Sequence, residues 1–74
     1  MKLYLLTLID EKDLGWDEYH GFVVAAEGFG DARILAFDKS SEERWRDEDE
    51  TRCTVIGEDT TGIRGVKLDS FNAG

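Results

Sequence analysis

The stretch GFVVAAEGFGDARILAF, residues 21–37, decides the fold. FVVAAE (22–27) reads as a strand, with the β-branched pair Val23 and Val24 at its centre. A turn at Gly28 or Gly30 follows, and Asp31 then falls in a first helical turn, where negative charge is favoured. Phe29, Ala32, Leu35 and Ala36 share one helical face, which predicts a short helix packed on a sheet with Arg33 pointing away.

Working outward, KLYLLTLI (2–9) is apolar on both faces: Leu3, Leu5 and Ile9 on one, Tyr4, Leu6 and Leu8 on the other. Such a strand belongs inside a sheet. Residues 10–20 read as an acidic loop and residues 38–50 as a charged segment, in which Ser40 or Ser41 would cap one helical turn. TRCTVIGE (51–58) and GVKLDSF (65–71) read as two further strands, with DTTGIR (59–64) as a hairpin connection between them. The expectation is one α+β domain over residues 1–74. It is ββαββ, a four-stranded antiparallel sheet in the order 2-1-3-4 with one helix packed on one face. The other face, with Tyr4, Leu6, Leu8, Ile56 and Phe71, would then be open and apolar, which predicts a homodimer interface.

Size supports that expectation. A domain of 74 residues buries only about 60% of the surface its unfolded chain exposes, and a second copy would add support. The single cysteine, Cys53, permits no internal disulfide, and it alternates in phase with Val55 as a small buried hydrophobe. No apolar run approaches the ~20 residues of a membrane-spanning helix, and MKLYLLTLID is followed by EKD without a small-residue cleavage site. A cytoplasmic protein is expected.

Catalytic and metal chemistry find no support in the residue pattern. The lone His20 has no partner at a recognisable spacing. Gly28-Phe29-Gly30 lacks the third glycine of a dinucleotide fingerprint and the Lys and Ser/Thr of a P-loop. The twelve residues from Asp10 to Gly21 carry Lys12 and Leu14 where a calcium loop needs oxygen ligands. No enzyme, cofactor or metal is predicted.

Charge is more informative. The net charge is −8, which argues against direct contact with nucleic acid or an anionic membrane. Residues 10–20 contribute −4 and residues 38–50 another −4, while the remainder balances. The expected topology places both segments at one end of the sheet, with one tryptophan in each. Two readings compete. In one, acidic loops keep a small protein soluble and the tryptophans fold back as lids over the core. In the other, the acidic end docks into a basic groove of a nucleic-acid-binding protein, its carboxylates imitating phosphates. The partner-binding residues of that second reading are Asp10, Glu11, Asp13, Trp16, Asp17, Glu18, Glu42, Glu43, Trp45, Asp47, Glu48, Asp49 and Glu50, with the tryptophans as anchors.

MKLYLLT (1–7), VVAAE (23–27), Ala32-Arg33, Ile56-Gly57-Glu58 and SFNAG (70–74) resemble small acidic proteins encoded by bacteriophages and prophages. The resemblance carries no assigned activity and no functional residue. It implies a phage accessory protein acting inside a bacterial host, a context that includes anti-CRISPR inhibitors and other DNA mimics. The partner it implies is a basic host nucleic-acid-binding protein, a CRISPR effector being one instance. Two alternatives stand beside it: an assembly module working through the open sheet face, and a small-ligand sponge at a dimer interface.

Overall fold

The computed structural model describes residues 1–9 and 18–72, with residues 18, 71 and 72 described by backbone alone. In chain order the elements are β1 (Lys2–Leu8), β2 (Glu18–Ala26), α1 (Phe29–Ser40), a 3₁₀ turn (Glu43–Arg46), β3 (Thr51–Glu58) and β4 (Gly65–Asn72). The expected α+β class and ββαββ order are those found, with one four-stranded antiparallel sheet and α1 packed on one face. β1 lies inside, between β2 and β3, as its two apolar faces require.

The position of β4 differs from expectation. The order is β3-β1-β2-β4, so β4 pairs with β2 and not with β3. Residues 59–64 are therefore no hairpin but a crossing from one sheet edge to the other. Two contacts and one backbone turn fix the crossing. The Asp59 N–H donates to the Met1 carbonyl at 2.7 Å. Gly62 takes φ 72°, a left-handed turn that a side chain would oppose. Arg64 forms a two-pronged ion pair with Asp31, its Nε donating to Oδ2 at 2.8 Å. In this arrangement Val66 pairs with Val24 and packs against the core.

The face of β1 that meets the helix is also corrected. Tyr4, Leu6 and Leu8 lie under α1 with Phe22, Val24, Ala26, Ala32, Ala36 and Trp45, forming the hydrophobic core. They are not an open interface. The uncovered face carries the other register, in which Leu5 pairs with Val23 and Val23 with Leu68. Gly21 stays close to β1 because a Cβ there would meet the Leu6 carbonyl oxygen at 3.0 Å. The choice between the two faces is made by Trp45. It is fully buried and packs edge-on against Phe22, ring centroids 4.9 Å apart, so the Phe22 side of the sheet becomes the covered side.

The helix starts at an extended Gly28, and Asp31 reaches back to accept the Glu27 N–H at 3.0 Å. It ends at Ser41, whose left-handed φ of 59° lets its N–H close onto the Phe37 carbonyl at 2.7 Å. Among the described residues, no helix is long and apolar enough to cross a membrane.

Candidate functional site

The acidic segment from residue 42 to residue 51 is held to the fold by Arg33. Contrary to the expectation that it points away, Arg33 reaches from α1 into this segment. Its Nη1 donates to the Thr51 hydroxyl at 2.6 Å and to the carbonyls of Trp45 and Asp47 at 3.3 Å each. Its Nη2 donates to the Thr51 carbonyl at 3.0 Å. Thr51 is almost fully buried, at 1% exposure, and a buried hydroxyl needs partners. It accepts from Arg33 and donates toward the Asp47 or Arg44 carbonyl, 2.9 and 3.1 Å away.

The Asp47 carbonyl is the hub of the acidic turn. Besides Arg33 and the Thr51 hydroxyl, it accepts the N–H groups of Glu50 and Thr51 at 3.2 and 3.0 Å. The Asp47 carboxylate turns inward along the chain to accept the Asp49 N–H at 2.8 Å, the local bond that makes Asx residues turn formers. Backbone geometry from Asp47 to Glu50 is thus fixed, while the four side chains are exposed. Among the described residues, no ion pair to Glu48, Asp49 or Glu50 occurs. Glu43 is exposed too, 3.7 Å from Arg46.

Two of the expected docking residues have a different role. Trp45 has no exposed surface, and its indole N–H donates to Glu42 Oε1 at 3.1 Å. An interface anchor must be accessible, so Trp45 is a lid over the core, as the competing reading held. Glu42 is half-buried and committed to the fold. Its carboxylate pairs with Arg44 at 2.9 Å and accepts the Tyr19 N–H at 3.4 Å. Asp10, Glu11, Asp13, Trp16 and Asp17 lie outside the described residues, as does the side chain of Glu18. Their flanks are placed: the Ile9 N–H donates to the Glu50 carbonyl at 3.0 Å, and Tyr19 meets Glu42. Ile9 and Tyr19 thus both lie at the end of the sheet that holds the acidic turn.

Of the expected interface, Tyr4, Leu6 and Leu8 are core, and the Phe71 side chain lies outside the description. Ile56 is exposed as the extra residue of a bulge on β3, between the Tyr4–Val55 and Leu3–Gly57 pairs. Cys53 is half-buried against the core, and burial pushes its thiol pKa up against a smaller opposing pull from Arg33. His20 sits at an irregularity of β2, its Nε2 enclosed without a hydrogen-bond partner among the described residues. No group of His, Cys, Asp or Glu among the described residues is arranged to hold a metal ion.

Sequence reasoning missed Arg33 and Thr51. The available signal was local: a helical arginine four residues after Phe29 and adjacent to the core-facing Ala32 can reach over the helix end. Comparison with family models, with curated proteins and with solved structures yields no match.

Proposed function

We propose that this chain is a non-enzymatic inhibitor, encoded by a phage, whose acidic end docks into a basic nucleic-acid-binding groove of a host protein. The observation that carries this reading is the turn Asp47–Glu50. Four successive exposed carboxylates stand on a backbone fixed by Arg33 and by the hydrogen bonds of the Asp47 carbonyl. Preorganisation lowers the ordering cost of binding, and clustered negative charge speeds the encounter with a basic cleft. Glu43 extends the same surface, Ile9 meets Glu50 at its edge, and the sequence from 10 to 18 carries five further acids. A host nucleic-acid-binding complex such as a CRISPR effector is a partner of the required chemistry.

The test is a reversal of Asp47, Glu48, Asp49 and Glu50 to Lys in the full chain, followed by capture from a bacterial lysate at low and high salt. The unaltered protein should retain a basic nucleic-acid-binding protein at low salt only, and an added DNA oligonucleotide should displace it. The reversed protein should retain none. Capture that ignores salt, or survives the reversal, sinks the mimicry reading.

The uncovered sheet face favours a second reading, an assembly module that pairs with its own copy. Leu68 is 66% exposed there, beside Leu5 and Val23 at a depression of about 360 Å³. An exposed apolar patch marks an interaction surface.

A further inference from the structure

We infer that two copies of the chain pack uncovered face to uncovered face and head to tail, each Leu68 seated in the other copy's depression over Gly21 and Ser70. The dimer then carries its acidic turns at opposite ends and can bridge two partner sites. This rests on the self-pairing reading of that face, and adds which residues meet and which way the copies run.

Shape comes first. On the uncovered face, Leu5, Val23 and Leu68 form one row across the sheet, and Thr7, Gly21 and Ser70 form the next. Leu68 stands out from the first row, 66% exposed. Beside it, the depression of about 360 Å³ takes in Gly21, which has no side chain, and Ser70, whose side chain is short. Knob and hole thus sit two residues apart along the strands, about 6–7 Å. A twofold axis running across the strands, between the two rows, exchanges them. It seats both leucines at once, as an isologous interface requires. An axis along the strands would set leucine row against leucine row and leave both holes unfilled.

Charge agrees. Neither row holds a carboxylate, and Arg52, paired with Thr7, brings the one charge to them. Asp69 borders the depression but pairs with the buried Phe22, in the alternate register. On a chain of net charge −8, an acid-free face is where an equally acidic copy meets least repulsion. A basic partner finds no carboxylate there to pair with. Direction follows as well. Glu50 meets Ile9, three residues beyond the axis in each copy. Six residues of strand, about 20 Å, therefore separate the two Glu50 positions, beyond the Debye length of about 8 Å. Copies running the same way would bring both acidic turns to one end.

Area sets the strength. Four strands about 4.8 Å apart and about 26 Å long present roughly 500 Å² in projection. That is the low end of specific interfaces, at about 800 Å² per partner for the standard size, so dilution should dissociate the pair.

The test is sedimentation of the full chain across a dilution series at low and high salt. The expected result is a monomer–dimer equilibrium that tightens with salt, because salt screens repulsion between the chains. Docking of the acidic turn into a basic groove weakens with salt, so the two contacts have opposite signs. Leu68→Asp and Ser70→Glu should each lose the dimer with an unchanged thermal unfolding curve. In a Cys53→Ala background, oxidation of Leu68→Cys mixed with Ser70→Cys should crosslink the two variants. Crosslinking of Leu68→Cys to itself or to Thr54→Cys instead overturns the head-to-tail seating and leaves self-pairing through this face standing. A dimer that survives both charge variants, or that weakens with salt, overturns the inference in favour of another surface. A monomer at every concentration overturns the inference and the self-pairing reading together, and leaves the face to a different protein.

Discussion

The Arg33 guanidinium grips Thr51 twice, at its hydroxyl (2.6 Å) and at its carbonyl (3.0 Å). One helical side chain thereby ties α1 to the point where the acidic turn enters β3. Hydrogen bonds made by a charged donor contribute about 1.5–3 kcal/mol, and an orphaned buried group costs about 1–3 kcal/mol. Arg33→Met and Thr51→Val should therefore each destabilise the fold by about 2 kcal/mol in urea unfolding. The double variant should lose clearly less than the sum, because both remove one network. Additive losses would show that the two side chains act independently.

Trp45 should behave as a core residue. In a Trp16→Phe background, its fluorescence should be blue-shifted and resistant to acrylamide. Both properties should be lost together on unfolding. Trp45→Ala should cost about 3–5 kcal/mol, in line with large core truncations. Emission typical of exposed indole in the folded protein would contradict the buried placement.

The Asp31–Arg64 pair predicts an acid dependence of known sign. Arg64, aided by the Glu27 N–H, lowers the Asp31 pKa from 3.8 to about 2. A carboxylate depressed on folding stabilises the native state above its unfolded pKa. That contribution fades as pH falls from about 4 toward about 2. Asp31→Asn should flatten this part of the stability curve and leave the curve above pH 5 parallel to that of the unaltered protein. As the pair is partly exposed, solvent screens it and its contribution near neutrality should be small. An identical acid slope in both proteins would remove Asp31 from the account.

Leu6 and Leu68 should respond oppositely to a charge. Leu6 is fully buried and Leu68 is 66% exposed on the uncovered face. Leu6→Asp should leave the chain unfolded by circular dichroism, since an unpaired charge would enter the core. Leu68→Asp should keep the melting temperature within a few degrees, and it should dissociate any dimer formed through that face in sedimentation. A stable Leu6→Asp variant would overturn the assignment of faces.

Much of this architecture was legible from residue patterns. The two-faced β1 had to lie inside, and the Gly21–Phe37 stretch set a strand running into a helix. What escaped has identifiable causes. Both faces of β1 are apolar, so its own alternation does not say which is covered; Trp45 decides, and it lies in a run of charges that reads as solvent-facing. The segment DTTGIR resembles a hairpin turn, yet the edge β4 selects is fixed by Arg64 meeting Asp31, a pair 33 residues apart that no local rule links. An outward Arg33 is the expectation because charge normally seeks water, whereas here backbone carbonyls and a hydroxyl receive it. Glu42 illustrates the same limit: its acid neighbours are exposed, but it serves Arg44 and Trp45.

The crossing of residues 59–64 gives the sheet two margins that open separately. β3 depends on β1 and β4 depends on β2, and neither margin pairs with the other. β4 meets the rest of the fold through β2, through Val66 against the core and through Arg64 on Asp31, whereas β1 is paired on both sides. Opening of β4 would leave the β3-β1-β2 pairings in place. Native-state hydrogen exchange should resolve it as a cooperative unit of its own, less protected than β1, and the acidic turn would keep its shape throughout that opening.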